Sequence, residues 1–221
     1  MLLAVILLSG VSTSIVGCLD SYAVAVPNCG MLGFIAATRE MAIECKTGKD
    51  SEMQYELSGL IAATLTPLHE DGSVDVDSIP RVVDHLERTG VSGIYICGST
   101  GEGISLTSEE RRTVTKAYVA AAKGRMKTVV QVGHNSIAET RKLASHAAEM
   151  GADAISATPP SYFKIDSVGM LVDCMAEIAS GAPDTPFYYY HIPSLTGTAL
   201  DMVEFLQAAD EKIGNLVGIK Y

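Results

Sequence analysis

The stretch GIYICGSTGEGISLTSEERRTVTKAYVAAAKG (residues 93–124) contains one complete strand–loop–helix unit. It begins with a short, β-rich apolar run, GIYIC, and continues through the glycine-rich turn GSTGEG. Thr107 and Glu110 then have the spacing of a capping box, which marks the start of a helix, and Gly124 marks its end. A strand followed by a helix is the unit from which α/β proteins are built.

The same unit recurs along the chain from Gly59 onward. Further apolar, β-rich runs occupy residues 60–66, 127–132, 153–158, 186–191 and 216–220. Helical patterns lie between them; one is predicted to be capped by Ser78 or Asp77, and another by Ser136 with Glu139. Alternating strands and helices predict a parallel sheet, either open and doubly wound or closed as a (β/α)8 TIM barrel.

The dinucleotide-binding alternative is weakened because no GxGxxG motif follows the first strand. About six strands and five helices can be identified, and each further βα unit needs roughly 30 residues. We therefore predict an incomplete TIM barrel over residues 57–221, with exposed edges on its first and last strands and reduced activity of the isolated chain.

Residues 1–56 differ from the rest of the chain and are predicted to be an apolar extension of uncertain status. Residues 1–19 contain no charge, which fits a signal peptide or a marginal membrane anchor. A signal peptide normally has a Lys or Arg before its apolar run, and this chain has none there. A secreted or membrane-anchored protein is the alternative if residues 1–25 act as a signal.

Composition limits the possible partners. The formal net charge is -10 over 221 residues, which argues against nucleic acid, whose phosphates would be repelled. The five cysteines form no CxxC pair and have no histidine at metal-ligand spacing, so a metal site is not predicted. Cys97 and Cys174 are interpreted as thiols of the core.

Chemically useful residues follow three different strands. Ser99 and Thr100 lie in the glycine-rich turn, where hydroxyls and backbone N–H groups can hold an anion; a purely structural turn is the alternative. Tyr190 and Lys220 end the fifth and sixth strands. In a barrel all of these residues meet at one mouth, where enzymes of this architecture have their active sites.

Lys220 is the strongest single candidate. Strand alternation puts Leu216, Gly218 and Lys220 on one face, and an interior face would bury the amine. Burial lowers the pKa of a lysine and frees the neutral amine to attack a carbonyl, whereas a lysine at a solvated strand tip would stay charged.

Tyr190 shares a face with Tyr188 in the run FYYYH, with Phe187 and Tyr189 on the other face. Its phenol could move a proton, or the ring could simply fill the core. His69, His134 and His191 are interpreted as hydrogen-bonded or exposed loop residues.

The motifs GLIAATLTP, GSTGEG, FYYYHIPSLTG and GIKY resemble the N-acetylneuraminate lyase subgroup of the dihydrodipicolinate synthase family, over residues 57–221. The resemblance implies a (β/α)8 barrel, a cytoplasmic homotetramer and a class I aldolase mechanism without metal or organic cofactor. It also implies that Lys220 forms a Schiff base with pyruvate or sialic acid, that Tyr190 transfers a proton, and that Ser99 and Thr100 hold the pyruvyl carboxylate.

Leu195 distinguishes the branches of the family. Dihydrodipicolinate synthases typically have arginine two residues after the proline of this motif, where it binds a second carboxylate. Leucine at that position favours cleavage of N-acetylneuraminate to pyruvate and N-acetylmannosamine. Another pyruvate-dependent aldolase or hydro-lyase, or a non-catalytic isoform that binds full-length subunits, are the alternatives.

Overall fold

A computed structural model describes residues 4–5 and 57–221 of the chain. Its strands form one sheet in the order β1 to β7. They are β1 (Ala4–Val5), β2 (Ile61–Ala63), β3 (Gly93–Ile96), β4 (Lys127–Gln131), β5 (Ala154–Ala157), β6 (Phe187–Tyr190) and β7 (Leu216–Lys220). The prediction for residues 1–56 otherwise lies outside the described part of the chain.

Helices follow the strands in alternation. They are α1 (Ile79–Arg88), α2 (Ser108–Ala122), α3 (Ile137–Met150), α4 (Val168–Ala179), α5 (Pro193–Thr196) and α6 (Met202–Asp210), and a 3-10 turn (Val76–Ser78) precedes α1. Five of these six helices were predicted. The short α5 was not, because its four residues are too few to show a helical repeat.

The winding of the sheet decides between the two predicted folds. Strands β2 to β7 are all parallel, and each pairs with the next one along the chain. A doubly wound sheet would reverse its strand order at a switch point, whereas a (β/α)8 barrel never does. The prediction of an incomplete TIM barrel is therefore confirmed. The predicted exposed edge on its first strand was wrong, because the outer edge of β2 pairs with the antiparallel strand β1.

Apolar residues are buried on both faces of this sheet, as expected for parallel strands. The larger cluster lies between the sheet and the helices and includes Ile94, Ile96, Phe187 and Tyr189. A smaller inner cluster consists of Leu57, Ile61, Tyr95, Val129, Ala154, Tyr188 and Tyr190. The predicted alternation in FYYYH is thus confirmed, and it directs Tyr190 into the interior.

Helix caps agree with the sequence in part. Thr107 and Glu110 form the predicted reciprocal capping box. The same box was predicted for Ser136 and Glu139, but only half of it forms: Ser136 accepts from the Glu139 N–H, whereas the Glu139 carboxylate pairs with Lys142. The prediction for α1 is correct in position only: Ser78 is the N-cap residue, but its side chain accepts no hydrogen bond from the first turn, because its hydroxyl donates to the Asp75 carboxylate.

A bulge in β7 corrects the predicted alternation of that strand. Phe187 is opposite Leu216, but Tyr188 is opposite Gly218, so one extra residue is inserted at Val217. As a result Leu216 packs with the outer cluster and Val217 with the inner one. The prediction that Leu216 shares the interior face with Lys220 was therefore wrong, since a bulge shifts the alternation by one residue.

The two cysteines of the described domain differ in burial. Cys97 is buried, as predicted, whereas Cys174 is only half-buried against the outer cluster. Burial raises the pKa of both thiols.

In the described residues, no helix has the length and apolar character needed to cross a bilayer.

Candidate active site

Lys220 lies at the carboxyl end of β7 with its side chain in the interior. Only 5% of the residue is exposed. Its Nζ lies 3.5 Å from the centroid of the Tyr190 ring and 5.0 Å from that of Tyr95. The lysine at the end of an apolar strand is therefore a buried amine between two aromatic rings, and the solvated-tip interpretation was wrong.

This environment changes the ionisation of the amine. Burial lowers the pKa of Lys220 from its usual 10.5, because the ammonium form loses its hydration. The Tyr190 hydroxyl acts in the opposite direction, by stabilising the charged form, and its effect is the smaller one. A larger fraction of the amine is consequently neutral, and nucleophilic, at any given pH.

The resemblance implies that Lys220 forms an imine with pyruvate, and the lowered pKa predicts how that step would depend on pH. The initial rate of pyruvate trapping by borohydride at Lys220 should rise with pH and reach half its maximum below pH 10.5. The rate rises because deprotonation creates the attacking species, and the lower pKa moves this rise to lower pH. Peptide mass spectrometry across a pH series measures it, and a midpoint at or above 10.5 would contradict the assigned environment.

Tyr190 connects the amine to the glycine-rich turn. The Tyr190 hydroxyl lies 3.4 Å from the Ser99 Oγ, at the long end of hydrogen-bond distances, and either oxygen can donate. Tyr190 ends β6 opposite Lys220, and the two strands pair there in parallel. Three of the four predicted site residues, Lys220, Tyr190 and Ser99, therefore lie together.

Thr100 is the fourth predicted residue, and it is exposed beside Ser99. Between residues 57 and 221, its hydroxyl makes no hydrogen bond to Tyr190 or Lys220. In the same range, the backbone N–H groups of residues 99–101 donate no hydrogen bond. The turn thus presents hydroxyls and N–H groups suited to an anion, and the predicted role of Thr100 stays a prediction.

Close backbone packing explains the glycines of this turn. A Cβ on Gly101 would lie 2.8 Å from the Thr64 carbonyl oxygen, and one on Gly103 would lie 1.9 Å from the Cys97 oxygen. Cys97 itself has a φ of 56°, which is unusual for a residue with a side chain. The glycines therefore serve the shape of the turn, and the hydroxyls beside them remain available for a ligand.

Replacing Gly103 should distort the turn. In Gly103→Ala the methyl group would overlap the Cys97 oxygen, so the backbone must move. We expect half-saturation of imine trapping to need at least about tenfold more pyruvate, which is a loss of about 1.4 kcal/mol in binding. Gly169→Ala is the control, since that glycine is exposed on α4 with nothing near its added Cβ. Equal pyruvate dependence in the two variants would contradict the prediction.

A cavity of about 280 Å³ opens beside the turn. It is lined by Cys97, Gly98, Ser99, Ile104, Gln131, His134, Asn135, Thr158, Pro159, Ser161, Ile192, Leu195 and Thr196. Lys220 and Tyr190 are not among its walls; Ser99 links it to the Tyr190 phenol. Leu195, the position that distinguishes branches of the family, contributes an exposed apolar wall.

A larger cavity of about 440 Å³ lies at the other end of the strands, beside the start of β4 at Lys127 and Thr128. Active sites of barrel enzymes lie at the carboxyl ends of the strands. The smaller cavity is therefore the better candidate.

The histidines only partly match their interpretation. His69 is exposed, and the Nδ1 of His134 accepts from the Ser136 N–H. His191 instead is buried, and its Nδ1 has no partner within the described domain. Burial lowers the pKa of His191 and so favours its neutral form. No group of three or more potential metal ligands occurs among the residues described.

Two residues near the site were missed by the sequence analysis. Tyr95 contacts both Lys220 and Tyr190, and its inward position on GIYIC could have been found from strand alternation. Arg111 is buried on α2 and donates to the carbonyl oxygens of Gln131 and Gly133, which ties this helix to the end of β4. The sequence holds no signal for that contact, because its partners, two backbone oxygens and the Gln131 side-chain oxygen, are 20 or more residues away.

Comparison with known proteins shows to which family this sequence is similar. Residues 56–221 match the model of the dihydrodipicolinate synthetase family. An N-acetylneuraminate lyase from Rattus norvegicus is 42% identical over 168 residues, which are 75% of this chain and 52% of that protein. The corresponding protein of Xenopus tropicalis is 44% identical over 75% of this chain and 55% of its own length.

Solved structures agree with these relatives. The N-acetylneuraminate lyase of Proteus mirabilis has a TM-score of 0.73 at 43% identity, covering 76% of this chain and 56% of its own. The dihydrodipicolinate synthase of Aquifex aeolicus has a TM-score of 0.68 at 32% identity, covering 73% and 54%. The chain thus spans about half the length of the relatives that it matches.

Proposed function

Because this chain belongs to the dihydrodipicolinate synthetase family, we propose that it acts as a Schiff-base aldolase that cleaves N-acetylneuraminate to pyruvate and N-acetylmannosamine. The observation that carries the proposal is the buried amine of Lys220, 3.5 Å from the centroid of the Tyr190 ring. The similarity to lyases of 42–44% identity supports the choice of substrate.

Lys220 is the nucleophile in this proposal. Its neutral amine attacks the keto carbon of the open-chain substrate, and loss of water gives an imine that is protonated on nitrogen. Lowering of the Lys220 pKa by burial supports this role, since the amine must be unprotonated to attack. The carboxylate of the keto acid binds at the turn, to the hydroxyls and N–H groups of Ser99 and Thr100.

Tyr190 is the proton carrier. The protonated imine accepts the electron pair of the breaking C–C bond. The proton of the substrate hydroxyl moves to the Tyr190 oxygen as Tyr190 passes its own phenolic proton to the carboxylate bound at the turn. The sugar departs as an aldehyde, and an enamine of pyruvate remains on Lys220. Protonation of that enamine at carbon, followed by hydrolysis of the imine, releases pyruvate and restores the amine.

Leu195 supports a neutral sugar as the partner substrate. An exposed leucine in the cavity wall offers no charge to a second carboxylate. A carboxylated aldehyde would therefore lack the bidentate partner that an arginine provides.

The resemblance further implies a cytoplasmic homotetramer. Light scattering of the purified protein tests the oligomeric state, and cell fractionation tests the localisation.

The second candidate is another pyruvate-dependent aldolase or hydro-lyase. The similarity to the Aquifex aeolicus synthase favours it, because that protein shares the fold at a TM-score of 0.68 and 32% identity. The two candidates differ in the aldehyde partner only.

A substrate panel separates these candidates. Purified protein is incubated with N-acetylneuraminate, other 2-keto sugar acids and simple 2-keto acids, and pyruvate release is followed. We expect release from N-acetylneuraminate at the highest kcat/KM of the panel. Faster turnover of a non-sugar keto acid would favour the second candidate, and absence of any borohydride-trapped pyruvate on Lys220 would overturn both.

A further inference from the structure

Tyr95 is fixed in the interior beside the proposed nucleophile. It lies on β3, is 1% exposed, and packs in the inner cluster. Its hydroxyl donates a hydrogen bond of 3.0 Å to the Ser156 Oγ on β5, across the intervening strand. Burial raises the pKa of Tyr95, so the phenol stays protonated and keeps donating. Packing in the inner cluster therefore fixes the ring, and the hydrogen bond to Ser156 fixes its hydroxyl.

The Tyr95 ring touches three parts of the site. Its centroid lies 5.0 Å from the Lys220 Nζ. It also meets the Tyr190 ring edge-on, with centroids 5.7 Å apart and an interplanar angle of 79°. A Cβ placed on Gly98, the first residue of the turn, would lie 2.7 Å from the Tyr95 Cε1. One ring therefore contacts the amine, the phenol and the start of the anion-binding turn.

We propose that Tyr95, anchored by Ser156, is a positioning residue that fixes Lys220 and Tyr190 relative to the turn. The inference rests on the proposed function and adds a residue to it. Edge-on packing of two aromatic rings favours one relative orientation of the rings, in addition to the effect of burial. Loss of orientation by about 1 Å can lower a rate by about 10²-fold. Tyr95 need not touch the substrate to have this effect.

Two carbonyl probes separate positioning from simple reactivity. Pyruvate must be oriented by the turn before Lys220 can attack it, whereas formaldehyde is small and needs no such site. Labelling of Lys220 by each probe with cyanoborohydride is quantified by peptide mass spectrometry. In Tyr95→Leu we expect the pyruvate rate to fall at least about tenfold, while the formaldehyde rate changes less than about threefold.

Tyr189→Leu is the matched control. Tyr189 is also fully buried and aromatic, but it faces the helices and packs against Phe205. Its loss should lower the thermal midpoint and leave the ratio of pyruvate to formaldehyde labelling unchanged. A selective fall in Tyr95→Leu alone therefore supports positioning.

The anchor is tested by Tyr95→Phe, Ser156→Ala and the double variant. Each removes the same hydrogen bond, so we expect equal falls in the pyruvate rate and no further fall in the double variant. If Tyr95→Leu fails to fold, these three variants decide the question.

Two outcomes overturn the inference and can be told apart. If the unmodified protein forms a pyruvate adduct but the labelling ratio is unchanged in Tyr95→Leu, or in the anchor variants, the inference alone falls. If the unmodified protein forms no pyruvate adduct at Lys220, the proposed function falls and the inference falls with it.

Discussion

Replacing Lys220 by methionine should abolish imine formation. The variant keeps an unbranched side chain of similar length inside the barrel but lacks the amine that attacks the keto carbon. We expect no borohydride-trapped pyruvate at residue 220 and a fall in pyruvate release from N-acetylneuraminate of at least about 10⁴-fold, as loss of a covalent nucleophile typically causes. Stability should be unchanged or improved, because Lys220 is buried and forms no ion pair with any carboxylate of residues 57–221, and such an amine is costly to bury.

Lys212→Met is the control for this result. Lys212 is exposed at the end of α6 and forms an ion pair with Asp173, so its loss should leave trapping and cleavage intact. Exposed ion pairs contribute at most about 1 kcal/mol, and the thermal midpoint should change little. A trapped adduct on any other lysine in Lys220→Met, with cleavage retained, would remove Lys220 from the mechanism.

The position of Lys220 could be predicted from the sequence, although one step of the reasoning failed. An apolar run that ends in lysine, at the carboxyl end of a predicted barrel strand, indicated an amine near Tyr190 at the mouth of the barrel. The bulge at Val217 was not predictable, because one inserted residue among apolar neighbours leaves the pattern of hydrophobicity unchanged. Lys220 points inward all the same, because the bulge lies before it and Gly218 to Lys220 regain the pairing with β6.

Local signals in the sequence were reliable where a short motif determined the geometry. Thr107 and Glu110 form their capping box because both partners are three residues apart. The side-chain cap of α1 was misjudged because the Ser78 hydroxyl donates to the Asp75 carboxylate, which lies outside the helix. Contacts that join distant strands, such as Tyr95 with Ser156, follow from the curvature of the sheet and leave no local pattern.

Removing the Tyr190 hydroxyl should separate cleavage from imine formation. Tyr190→Phe keeps the ring, whose centroid lies 3.5 Å from the Lys220 Nζ, but loses the oxygen that accepts the substrate proton. We expect kcat for cleavage of N-acetylneuraminate to fall about 10²–10⁴-fold, the usual contribution of general acid–base catalysis. Trapping of pyruvate on Lys220 should fall less than about tenfold, because attack by the amine needs no proton from the phenol.

Tyr189→Phe is the matched control, one residue away on the opposite face of β6. The Tyr189 hydroxyl is buried and has no hydrogen-bond partner among residues 57–221, so its removal should leave kcat unchanged and leave stability equal or slightly higher. Rapid-quench measurement of imine formation and steady-state pyruvate release give the two rates for each variant. If Tyr190→Phe loses both rates equally, the phenol acts by holding Lys220 in place; if it loses neither, another group carries the proton. Only the selective loss of cleavage in Tyr190→Phe assigns proton transfer to the Tyr190 oxygen, because this variant and the unmodified protein both keep the ring that contacts the amine.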